Sequence, residues 1–169
     1  MRSIFRFLVV TAILSGCALP GAADRPISGG CALSRSDDYL EDTAEDRSVR
    51  TELALTMQSC DAGKIALELT VRYEVVQALE HPIGIVYELR TFGGTTLETG
   101  TLYEGAPLPQ EPNAFTVPFR LREDGGYVVE VRTTEQSEGT PRFGSIRMLA
   151  FEKKGHEIKE LYNVFEKEQ

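Results

Sequence analysis

The sequence predicts a mainly β protein, an antiparallel β-sandwich of about seven strands. Three observations point there. Apolar residues recur at every second position in run after run between about residue 50 and about residue 153. Glycine, proline and aspartate turn signals separate the runs at hairpin spacing. None of the stretches between them carries the helical period that the crossovers of a parallel sheet need.

The first run alternates Thr51, Leu53, Leu55 and Met57 with Glu52, Ala54, Thr56 and Gln58, the pattern of a half-buried strand. After Asp61-Ala62-Gly63 it resumes with Ile65, Leu67, Leu69, Val71, Tyr73 and Val75 on one face. Residues Ile83 to Phe92 form a third run, and Gly93-Gly94 supplies the permissive backbone of a tight hairpin into Thr95 to Tyr103. Pro107, Pro109 and Pro112 then break the ladder before Phe115 to Leu121. Pro118 lies inside that run and cannot donate a ladder hydrogen bond, which predicts an edge strand. Glu123 to Gly126 turns the chain into Tyr127 to Thr133, and a polar loop with Gly139 and Pro141 leads to a last clear strand, Phe143 to Lys153.

Asp124-Gly125-Gly126-Tyr127-Val128-Val129-Glu130-Val131 resembles the Asp-x-Gly-x-Tyr strand entry of immunoglobulin-like and fibronectin-like domains, with a spacing one residue shorter. The resemblance implies an immunoglobulin-like sandwich in which Tyr127 pins a corner by hydrogen-bonding upstream backbone. The chain departs from those families in having no tryptophan, and its cysteines do not sit where an inter-sheet bridge would.

In the tail, Ile158, Leu161, Tyr162 and Phe165 fall at i, i+3, i+4 and i+7, which predicts a C-terminal amphipathic helix. A strand is the alternative, with Lys153-Lys154-Gly155-His156 as its hairpin turn.

The N-terminus has a different character. Arg2 and Arg6 precede the apolar stretch Phe7 to Leu14, the layout of a signal peptide. That stretch is about half the ~20 residues a membrane-spanning helix needs. Leu14-Ser15-Gly16-Cys17 follows and resembles the lipobox of bacterial lipoproteins. The resemblance implies removal of residues 1–16 and acylation of Cys17, whose chains would hold the protein to a membrane, each buried methylene contributing about 0.8 kcal/mol. Ala18 at the next position implies, in a Gram-negative host, the outer membrane and its periplasmic face. Residues 17–48, with Pro20, Gly21, Pro26, Gly29 and Gly30, read as a lipid-anchored tether whose acidic segment, Asp37 to Asp46, is a solvated loop or a short helix. Residues 49–169 are then the sandwich domain with its tail. A calcium loop is not indicated, because the acidic spacing lacks the Asp-x-Asp-x-Asp-Gly order.

With Cys17 assigned to lipid, Cys31 and Cys60 remain as one pair, expected to bond in an oxidising compartment. The formal charge of −8 becomes −10 once the leader takes Arg2 and Arg6 with it. Basic residues interleaved with a larger number of acids argue against nucleic-acid binding.

No catalytic constellation is visible. His81 and His156 are the two histidines, both read as surface residues, and position 160 is Glu where a zincin helix needs its second His. No Gly-x-Ser-x-Gly elbow or phosphate-cradling loop occurs. The expectation is a module without cofactor, metal or catalytic residue, anchored to the envelope and binding a protein there. The alternative is a glycan- or peptidoglycan-binding or carbohydrate-active domain; against it, Tyr73, Tyr87, Phe115, Phe119 and Tyr127 lie in phase with core positions.

Overall fold

The computed structural model describes residues 30–41, 49–109, 112–137, 140–142 and 145–167. The leader, Cys17, the tether as far as residue 29 and the end of the acidic segment lie outside these residues. Ten strands occur among them: β1 (Ala32–Glu41), β2 (Val49–Asp61), β3 (Lys64–Val75), β4 (Ile83–Thr91), β5 (Thr96–Gly105), β6 (Asn113–Leu121), β7 (Gly125–Ser137), β8 (Thr140–Arg142), β9 (Ser145–Lys154) and β10 (Glu157–Lys167).

The strands form two sheets packed as a sandwich. The larger runs β1-β10-β9-β7-β4-β5, with β8 beside β7, and the smaller runs β2-β3-β6. The inward phase of β2 and β3 is the predicted one: Leu53, Leu55 and Met57 lie beside Ile65, Leu67, Leu69, Val71 and Tyr73 on the inner face of the smaller sheet. Across the gap the larger sheet contributes Ile83, Ile85, Leu89, Val129, Val131, Leu149, Phe151 and Ile158 to that core. Rings join the sheets, with Phe119 of β6 stacked 6.3 Å from Phe151 of β9, and Phe151 in turn 5.6 Å from Tyr127 of β7.

Local chemistry explains the turns. Ala62 and Gly63 both have positive φ, 45° and 79°, the two-residue turn whose twist matches a β-hairpin. Pro118 lies on β6, which pairs only with β3 and is an edge strand, the position its proline predicts. Tyr127 donates its hydroxyl to the Glu123 carbonyl at 2.6 Å, pinning the turn between β6 and β7 as its sequence context predicts.

Two expectations are corrected. The C-terminal segment is not an amphipathic helix but strand β10, hairpin-paired with β9 through Gly155 and His156. The apparent helical stripe has a local cause. Register shifts between Glu160 and Tyr162, leaving Leu161 as an extra residue, so apolar side chains on either side of the bulge fall three and four apart. Residues 32–41, placed in the tether, form β1, which pairs in parallel with β10 at the edge of the larger sheet. Its Asp37 and Asp38 read as a solvated loop because an edge strand of this kind carries charge in place of alternation.

Candidate functional site

Beside the open edge of β2 the two sheets diverge into a cleft of about 430 Å³. Its walls come from β1 (Arg35, Glu41), β2 (Arg50 to Ala54), β3 (Thr70, Arg72), β9 (Arg147) and β10 (Asn163). Its volume lies in the range of small-ligand pockets. Four arginines from four strands meet there, although acids outnumber bases in the whole chain, 26 to 18.

The floor is a buried polar network. Arg147, 5% exposed, donates from Nε to Asn163 Oδ1 at 2.7 Å and from a terminal nitrogen to the Asn163 carbonyl at 3.3 Å. Asn163 passes the chain of bonds on, donating from Nδ2 to the Leu53 carbonyl at 2.9 Å. That carbonyl therefore points away from β3, out of the smaller sheet. Because backbone groups alternate direction along a strand, the N–H and C=O of the buried Thr51 point to the same side as the Leu53 carbonyl. The Thr51 hydroxyl is buried and has no hydrogen-bond partner among the described residues.

The rim is charged. Arg35 bonds Glu160 at 3.3 Å and Glu41 at 3.4 Å, and its guanidinium lies 4.4 Å from the centre of the Tyr39 ring. Burial pushes the Glu160 carboxyl above its ordinary range, and Arg35 only partly offsets this. Arg50 pairs with Glu74 across the β2–β3 ladder at 2.7 Å. Arg72 makes no ion pair among the described residues and stands exposed at the mouth.

A second cluster sits at the hairpin end of the sandwich. Cys31 and Cys60 are joined by a disulfide, with Cα atoms 6.4 Å apart, as the cysteine count predicts. Closing a loop of this length stabilises the fold by about 3.5 kcal/mol in the chain-entropy model. His156 is exposed, as the sequence predicts, yet its Nδ1 lies 3.3 Å from Cys60 Sγ and 3.5 Å from Cys31 Sγ. The Ala32 N–H donates to the His156 carbonyl at 3.2 Å, fixing the turn against the start of β1. Asp124 accepts from the buried Lys153 ammonium and from the Gly155 N–H at 3.0 Å, so it also holds this turn. The Lys153 and Gly155 bonds hold the Asp124 carboxyl below its usual range. His81 lies in the loop between β3 and β4, away from both clusters in the chain.

Of the predicted site residues, Cys31 and Cys60 come together and Cys17 is outside the described residues. The arginine cleft had no sequence signal, since its walls derive from five strands spread over more than a hundred residues.

No protein-family model matches the chain, and no curated protein matches it. Among solved structures it is similar to a putative beta-galactosidase from Bacteroides fragilis, at 12% identity and a TM-score of 0.42, over 68% of this chain. The match spans 15% of that galactosidase chain. It is also similar to Northeast Structural Genomics Consortium target SoR45, at 12% identity and a TM-score of 0.39, over 72% of this chain and 88% of that one. At these scores neither likeness bears on function.

Proposed function

We propose that this chain is an envelope lipoprotein, cut before Cys17, acylated there and held at the outer membrane facing the periplasm, whose sandwich is a non-catalytic protein-binding module. The observation that carries the binding reading is the cleft beside β2. It offers the buried Thr51 hydroxyl, which has no partner among the described residues, and the exposed Arg72 in the same cleft as the anchored Arg35. An extended segment bearing carboxylates suits both: its polar groups can reach the Thr51 hydroxyl and its acids meet the guanidinium groups.

The finer fold reading belongs to the same proposal. A β2-β3-β6 sheet packed on a larger one that contains β9-β7-β4-β5 supports the immunoglobulin-like reading, as does the bond from Tyr127 to Glu123. The glycan-binding alternative is less well supported, because Tyr73, Phe119 and Tyr127 are spent in the core instead of forming a stacking platform.

The test is intact-mass analysis of membrane-extracted wild type and Cys17→Ala, with affinity capture through wild type and Arg72→Glu. Acylation at Cys17 together with a partner lost on Arg72→Glu is the expected outcome. An unacylated mature protein beginning elsewhere overturns the anchor, and capture indifferent to Arg72→Glu overturns the cleft.

A further inference from the structure

We propose that Cys31, Cys60 and His156 form a redox-gated zinc site, closed as a disulfide and open to a thiophilic divalent cation once the two sulfurs are reduced. The three donor atoms come from separate places in the fold: the start of β1, the end of β2 and the β9–β10 turn. All lie within 4.8 Å of one another. Soft thiolates with one imidazole are a donor set suited to zinc and poorly suited to magnesium or calcium.

The spacing fits. Zinc takes thiolate sulfur at about 2.3 Å and imidazole nitrogen at about 2.0–2.1 Å, so tetrahedral ligands of these kinds lie about 3.5–3.8 Å apart. His156 Nδ1 already stands 3.3 and 3.5 Å from the two sulfurs. The sulfur–sulfur separation must widen, and Cα atoms 6.4 Å apart are near the wide end for a bridged pair, so side-chain rotation alone can part the sulfurs. His156 does not need to search for this position. The Ala32–His156 bond and the Asp124–Gly155 bond hold its turn on both sides. In the neutral tautomer with its proton on Nε2, Nδ1 is free to ligate. Three protein ligands leave a fourth position for water on the exposed His156 side.

The reductant is a dithiol. Its thiolate attacks the sulfur of Cys60, the less buried partner, forming a mixed disulfide while the bonding electrons leave on the Cys31 sulfur, which takes a proton. The second thiolate of the dithiol then displaces Cys60 and completes the oxidised cyclic disulfide. Zinc binds both sulfurs as their two thiol protons pass to solvent.

This site is independent of the cleft, and so is its test. The mature chain, oxidised or reduced with a phosphine and then freed of it, is titrated with Zn²⁺ against a chromophoric chelator and with Co²⁺ followed by absorbance. The expected result is one Zn²⁺ per reduced chain, none per oxidised chain, a thiolate-to-Co²⁺ charge-transfer band, and an affinity lowered about tenfold or more in His156→Ala. That variant keeps the disulfide, so its fold is checked in the oxidised state. Reduced wild type that takes up no stoichiometric zinc overturns the proposal, and so does reduced His156→Ala binding as tightly as wild type.

Discussion

Asn163 donates to the carbonyl oxygen of Leu53, 110 residues earlier, and this bond ties the last strand of the larger sheet to the edge of the smaller one. The same side chain accepts from Arg147. Asn163→Ala removes both bonds at a buried position, and the expected loss is about 2–3 kcal/mol. Asn163→Asp keeps an acceptor for Arg147 but cannot donate to Leu53, so it should also destabilise. Urea denaturation of the three proteins reads this directly. Equal midpoints would show that the network does not hold the sheets together.

Ala62 occupies a left-handed backbone conformation, with φ 45°, that its Cβ disfavours. Asparagine or glycine takes that conformation more readily at the first position of this turn. Ala62→Asn should therefore stabilise the protein by about 0.5–1 kcal/mol, since the left-handed form costs an ordinary residue about 1–2 kcal/mol. A thermal melt showing no gain would mean that the turn relaxes at no cost.

Gly100 lies opposite Tyr87 on neighbouring strands, and a Cβ added there would fall 2.5 Å from the tyrosine ring. The ring covers the glycine and its hydroxyl donates to Glu98 at 2.7 Å. Burial first, then Glu98, push the phenol up to about 12. Gly100→Ala should displace the ring, lower the phenol pKa towards its usual value of 10 and reduce stability. In the wild type the raised value has a definite sign. The neutral phenol is favoured in the fold, so this contribution is whole below pH 10 and is lost as pH rises from 10 towards 12. Ultraviolet titration of the phenols in wild type and Gly100→Ala measures the shift.

Glu160 is buried against Arg35 with its carboxyl held above the ordinary range, so the folded state favours the protonated acid. Its contribution to stability is therefore greatest below the unfolded pKa and falls as pH rises through the folded one. Glu160→Gln removes that dependence. Relative to wild type, its melting temperature should be equal or higher at neutral pH, and the difference should change in favour of wild type as both are taken to acid pH. A neutral-pH loss in Glu160→Gln would instead show that the ion pair to Arg35 outweighs the burial of the charge.

β2, β3, β4, β6 and β7 were legible because each has one apolar face and the period survives along it, as in Ile65 to Val75; β5 was legible as the return from the Gly93-Gly94 turn, and β9 as a largely apolar run after a polar loop. Tyr127 and the cysteine pair were legible from their neighbours and their number. β10 was not, because the bulge at Leu161 breaks a period of two and mimics one of 3.6. β1 was not, because an edge strand rich in aspartate shows little alternation. Arg147, Lys153, Glu160 and Asn163 occupy inward positions where the pattern asks for apolar residues. Each is buried beside partners that arrive from other strands or, for Lys153, from the β6–β7 turn, and a single run of sequence does not carry that information. The convergence of His156 on the disulfide has the same origin, since the partners lie 125 and 96 residues away.

The cleft reading is tested most directly by site-specific photocrosslinking in the native envelope, with the reactive residue at Thr70 in the cleft or at the exposed Leu97 on the β4–β5 hairpin. A discrete protein adduct from Thr70, lost when Arg72→Glu is added and absent from Leu97, is the predicted result. No adduct from Thr70, or one that survives Arg72→Glu, would contradict a protein-binding cleft beside β2.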